Sequence, residues 1–156
     1  MADTRADEHR LYIAEPDLGG VWTICDGHTK GIHKGDTADD AECDADTAAD
    51  LLAAGHEVLR CAPALKGHHQ QLRAAIRFQN NTGHFCASSA APLFRAGKLK
   101  AGCDKLLAYI GIVTAQPMHG RSVVSVRKMR NGKYYNVIRG LINRRNNEHK
   151  VCVSDL

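Results

Sequence analysis

A chain of 156 residues, 44% of them hydrophobic, supplies enough apolar surface for one domain with a buried core. No apolar run approaches the roughly 18 residues of a membrane span, and the opening MADTRADEHR lacks the apolar stretch of a signal peptide. The chain therefore reads as soluble, without an export signal or stable membrane insertion. Nucleic acid is an unsuitable partner, because aromatic residues are 5% of the chain and the basic positions are not interleaved with stacking side chains.

The formal net charge of +4 conceals a division. Residues 1–58 carry 14 Asp and Glu against 4 Lys and Arg, whereas residues 59–156 carry 3 against 17. Either the basic part faces an anionic polymer, by a steering that salt weakens, or two oppositely charged lobes attract each other.

In chain order, RADEHR makes a short helix ending near Glu8. PDLGG and DGHT are turns on either side of the strand-like VWTIC, so residues 11–29 read as a small antiparallel ribbon. Next, TADD offers Thr37 as an N-cap with Asp40 reaching back. Ala41, Ala45, Ala48, Leu51, Leu52 and Val58 then recur near helical spacing, which predicts a helix over about 37–60, weakened at Gly55 and stopped before Pro63. Further helices are expected over about 68–80, 88–96 with Gly97 as its stop, 99–109 and 138–151. Alternation around Asn131-Gly132 predicts a β-hairpin over 122–137.

Cys25, Cys43, Cys61, Cys86, Cys103 and Cys152 form an even set that is reduced in a cytosol and able to form three bridges in an oxidising space. Cys25 and His28 in CDGH lack the second close pair that a structural zinc needs. The acidic run DTADDAECDAD lacks the glycine and glutamate of a calcium loop. No metal and no organic cofactor are implied.

The opening carboxylates carry more information. A carboxyl held against apolar surroundings keeps its proton near neutrality, while one in a wet turn stays ionised, and that division of labour suits glycoside hydrolysis. Glu8 fits the acid and Asp17 the base, although solvated acids in a turn are commoner than catalytic pairs. The string E-x8-D-x5-T, here Glu8, Asp17 and Thr23, followed by a histidine in GVWTICDGHT, resembles the active-site signature of the phage-type lysozymes, the family 24 glycoside hydrolases. DAEC with AADLLAAG, RCAPAL, RFQNNTGHFCASSAAPLFRAG and GLINRRNNEHKVC extend the resemblance, in order, to nearly the whole chain outside about 110–136.

The resemblance implies an α+β, mostly helical lysozyme-like fold with a small N-terminal antiparallel β-lobe and a helical C-terminal lobe, plus the inserted hairpin. It implies one catalytic domain over 1–156: an N-lobe holding the site to about 36, a linking helix over about 37–60 and a C-lobe over about 61–156. Glu8 is then the proton donor, Asp17 activates water and Thr23 holds that water. His28 is a supporting residue with Asp50 as its ionic partner, and Arg145 or Arg144 approaches Glu8. The cysteines pair sequentially, Cys25 with Cys43, Cys61 with Cys86 and Cys103 with Cys152. The expected partners are peptidoglycan glycan strands, met by a monomer that stays in the host cytoplasm until a membrane pore releases it to the periplasm. The alternative is a catalytically silent peptidoglycan-binding or structural relative, because His9 stands where the family has glycine and the insertion is able to reshape the site.

Overall fold

The computed structural model describes residues 10–156, so Glu8, His9 and the helix expected around them lie outside the described residues. The described chain contains five helices and two small antiparallel sheets, an α+β arrangement. It divides into two compact units at His56 and Glu57, with helix α1 (Asp40–Cys61) carrying residues of both.

The first unit is built on the ribbon of β1 (Leu11–Pro16) and β2 (Trp22–Cys25). Asp17-Leu18-Gly19-Gly20 turns the chain between the strands, closed by Gly20 N–H donating to the Asp17 carbonyl at 2.9 Å. Glu15 lies opposite Thr23 and Pro16 opposite Trp22. Past β2 the chain folds back on itself, with Ile24 bridged to His28. That tight reversal requires Cys25 to adopt φ 57°, a left-handed conformation costing about 1–2 kcal/mol for a residue with a Cβ. The Cys25–Cys43 disulfide fastens the reversal to α1.

Helix α1 starts three residues later than the sequence reading places it. Thr37 cannot cap it because Thr37 is bridged to Ile13, and the flanking Ala38 amide donates to the Tyr12 carbonyl at 3.1 Å, which keeps this segment extended beside β1. The capping box is formed by Asp39 and Glu42 instead. The Glu42 amide donates to Asp39 Oδ1 and the Asp39 amide donates to Glu42 Oε2, both at 2.9 Å.

The face that α1 turns to the ribbon reversal is also not its apolar stripe. Asp40, Cys43, Asp44, Thr47 and Asp50 recur at helical spacing, and each contacts a residue between Arg10 and His28. Ala41 and Ala45 are exposed, and Leu52 is 62% exposed.

The second unit packs α2 (His69–Thr82), α3 (Ala91–Arg95), α4 (Leu99–Leu106) and α5 (Arg139–Cys152) around Leu65, Phe78, Phe85, Phe94 and Leu106, none of which retains exposed surface. Each such side chain contributes about 1.5–3 kcal/mol by leaving water. Gly83 stops α2 in the left-handed conformation, φ 65°. Where a single helix over 88–96 is expected, the chain makes a short 3₁₀ turn at Phe85–Ala87 and then α3. Helix α4 ends before Tyr109 because that ring packs edge-on against Phe78, with centroids 5.0 Å apart, and its hydroxyl accepts the Ser89 amide at 2.8 Å.

Strand β3 (Gly111–Thr114), absent from the sequence reading, joins the expected hairpin of β4 (Val123–Lys128) and β5 (Tyr134–Ile138) in a sheet of order β3-β5-β4. Asn136 is fully buried on the central strand. Its amide donates to the Ile112 carbonyl and to Thr114 Oγ1, and its Oδ1 accepts the Met118 amide at 2.9 Å. The hairpin turn is made by Met129–Gly132, with Gly132 at φ 82°.

The three disulfides pair sequentially, as the resemblance implies: Cys25–Cys43, Cys61–Cys86 and Cys103–Cys152. Cys25 is therefore not a thiolate beside His28. Glu57, Cys61 and Cys86 also converge, but their two sulfurs are bonded to each other. Among the described residues no helix is long and apolar enough to cross a membrane.

Candidate active site

Asp17 occupies the tip of the β1–β2 ribbon because PDLGG forces a turn there. Its Oδ1 accepts the amides of Gly19 at 2.8 Å and Val21 at 2.9 Å, which fixes the carboxylate plane. Oδ2 accepts no hydrogen bond from the described residues, and the side chain is open to solvent. Glu15 faces Thr23 across the ribbon, and Asp17 stands two residues beyond Glu15, in the turn past the end of β1. Thr23 is half-buried.

His28 sits at the end of the reversal with both ring nitrogens against acceptors. Nδ1 lies 2.7 Å from Asp50 Oδ2, and Nε2 lies 3.1 Å from the Lys30 carbonyl. The contact crosses from the ribbon to α1 and holds Thr23's strand to that helix.

A second clamp lies two residues back, at Asp26, and was not visible in the sequence. Arg10 donates through Nε to Asp26 Oδ1 at 3.0 Å and through a terminal nitrogen to Oδ2 at 2.6 Å, a two-pronged contact. Its remaining reach goes to Asp40 at 2.8 Å and Asp44 at 2.9 Å, while the Thr47 hydroxyl donates to Asp26. The Asp26 bond, then those to Asp44 and Asp40, strengthen the hold of Arg10 on its proton. In return, hydrogen bonds from Arg10 and Tyr12 hold the Asp40 carboxyl below the usual range. The available signal was the rarity of cations in this half: three carboxylates converge on one of its four.

Arg145 belongs to the second unit and is fully buried. It donates to Asn81 Oδ1 at 2.5 Å, lies 3.1 Å from Glu148 and stacks over Phe78, 4.7 Å from the ring centroid. Burial pushes the Glu148 carboxyl up to about 7, against the opposing pull of Arg145, Arg144 and Arg77. The structure thus joins His28 with Asp50 and sets Asp17 at the tip of the ribbon whose second strand carries Thr23. Glu8 lies outside the described residues.

A small ribbon bearing a fixed, solvent-facing carboxylate, a long helix and a second helical body belong to the lysozyme-like fold of glycoside hydrolases. The chain belongs to the phage lysozyme family, which matches it over residues 8–148. It is 31% identical over 138 residues to a SAR-endolysin of Pseudomonas phage phiKMV, covering 88% of this chain and 75% of that protein. It is 33% identical over 100 residues to a SAR-endolysin of Enterobacteria phage P21, covering 61% of this chain and 59% of that one. The fold is similar to the muramidase domain of SpmX from Asticaccaulis excentricus, with a TM-score of 0.72 at 20% identity over 96% of this chain and 91% of that one. It is also similar to the active form of P1 phage endolysin Lyz, with a TM-score of 0.71 at 19% identity, covering 96% and 79%.

Proposed function

We propose that the chain hydrolyses the β-1,4 bond between N-acetylmuramic acid and N-acetylglucosamine in peptidoglycan, with inversion at the anomeric carbon, and so lyses the bacterial host. Glu8 gives its proton to the leaving glycosidic oxygen, Asp17 takes a proton from the attacking water, and Thr23 orients that water. An inverting hydrolysis asks for no covalent bond between enzyme and sugar, only an ionised oxygen with space for a water before it.

The observation that carries this reading is the division of labour within Asp17. Oδ1 is held by two backbone amides and Oδ2 is left open, at the tip of the ribbon that carries Thr23. His28 with Asp50 supports the strand from behind. The SAR-endolysin relatives favour action on the wall from the periplasm, reached across the inner membrane once that barrier opens. The same reading has the whole chain acting as a monomeric catalytic domain on glycan strands, without nucleic acid.

The test is to follow a defined peptidoglycan oligosaccharide by proton NMR during early turnover. The α-anomer of the new reducing end appears first if the reaction inverts. First appearance of the β-anomer overturns the assignment of Asp17 as a base.

A further inference from the structure

From residue 105 to residue 147 the chain contains no aspartate or glutamate. Within that run, the sheet and its flanks carry Arg121, Arg127, Lys128, Arg130, Lys133 and Arg139, all exposed. None of the six forms an ion pair with a carboxylate of the described residues, whereas Arg10, Arg60 and Lys100 elsewhere do. The contacts found for two of them are with rings of their own sheet: Arg127 lies 6.0 Å from the centroid of Tyr135, and Lys128 lies 5.9 Å from that of Tyr134.

Aliphatic surface accompanies the charge. Val113 is 50% exposed, Val124 47% and Val126 38%, and β4 is an edge strand open to solvent along nearly all its length. Asn136 ties β5 to β3 through the Ile112 carbonyl and Thr114 Oγ1, and Gly111 lets the Tyr135 ring lie where a Cβ would come within 2.6 Å of it.

We propose that the β3-β5-β4 sheet docks onto an anionic phospholipid bilayer, with the cations on headgroup phosphates and the valines at the headgroup boundary. Long basic side chains lay their stems along apolar surface while the charges reach outward. Val126 shares a face with Lys128 and Arg127 stands on the other, so the sheet meets the interface along its β4 edge, where cations of both faces reach the headgroups. A sugar strand would instead ask for open aromatic faces, and here both tyrosines are half-buried with a cation above each ring. The charge and the aliphatic surface together favour lipid over glycan.

The test is co-sedimentation of the protein with vesicles of phosphatidylglycerol and phosphatidylcholine, beside vesicles of phosphatidylcholine alone. The wild type is expected on the anionic vesicles, with binding that falls as salt rises, and not on the neutral ones. Each basic residue near an anionic surface is worth about fivefold in partitioning. The variant R127Q/K128Q/R130Q/K133Q should therefore lose at least ~100-fold in partitioning, with unchanged melting and unchanged lysis of permeabilised cells. Arg130→Glu, on the exposed turn, gives the same direction if the fourfold variant folds poorly. Absence of wild-type binding to anionic vesicles, or binding that survives the fourfold change, overturns the proposal. Loss of sedimentation with purified peptidoglycan in the variant while vesicle binding is retained also overturns it, and assigns the surface to the wall.

Discussion

Arg145 and Glu148 lie 3.1 Å apart, one turn from each other on α5, and neither side chain exposes any surface. Both Glu148 oxygens lack a hydrogen-bond donor, and burial raises its pKa from 4.5 to about 7 while it lowers that of Arg145 to about 10. A carboxyl whose folded-state pKa is raised binds its proton more tightly in the folded chain. Its stabilising contribution is complete below about pH 4.5 and is lost as pH rises through about 7. The shift corresponds to about 3 kcal/mol. Glu148→Gln is expected to flatten the pH dependence of urea midpoints between pH 4.5 and 8 relative to wild type. Equal slopes in the two proteins would contradict a buried, titrating Glu148.

The Arg10 clamp fixes the first strand immediately beyond Glu8. Arg10→Leu leaves Asp26, whose side chain is 3% exposed, without its two-pronged partner, and takes one contact each from Asp40 and Asp44. Thermal melting should fall further for Arg10→Leu than for Asp40→Asn or Asp44→Asn, because their carboxylates are mostly in water and surface pairs contribute little. Equal melting points for the three variants would remove the clamp from the account.

The disulfides differ in the loops they close, spanning 18, 25 and 49 residues. In the loop-entropy account the Cys103–Cys152 bridge contributes about 4 kcal/mol and Cys25–Cys43 about 3 kcal/mol. Paired alanine substitutions, measured by denaturant melts, should follow that order. A larger loss for Cys25→Ala/Cys43→Ala would show that release of the Cys25 reversal, and not loop entropy, dominates.

Asn136→Leu should cost about 1–3 kcal/mol, since it leaves the Met118 amide and the Ile112 carbonyl without their side-chain partner in a covered position. Hydrogen exchange should report the loss in β3 and β5. Unchanged protection there would contradict the role of Asn136 as the sheet's central tie.

What the sequence made legible follows from how local each signal is. The hairpin around Gly132, the stop at Gly97 and the ribbon turn at Asp17 are set by nearby residues, and all were readable. Strand β3 was not, because GIVT is too short to alternate and becomes a strand only by pairing with β5. The start of α1 was misplaced because Thr37 is held by Ile13, a partner distant in sequence. Its apolar stripe misled for a related reason: the ribbon is fastened to α1 by Cys43, Asp44, Thr47 and Asp50, so polar spacing carried the information there. Asp17, Thr23 and His28 could be singled out through their family spacing. Arg10 and Glu148 could not, since their importance lies in convergence and burial that one-dimensional spacing does not encode.

The central claim is that a proton donated by Glu8 drives glycosidic cleavage. It is tested most directly by the release of reducing sugar ends from purified peptidoglycan, comparing wild type with Glu8→Gln at matched melting temperature. The account predicts release by the wild type and a loss of about 10²–10⁴-fold in the variant. Wild-type rates from Glu8→Gln would contradict it.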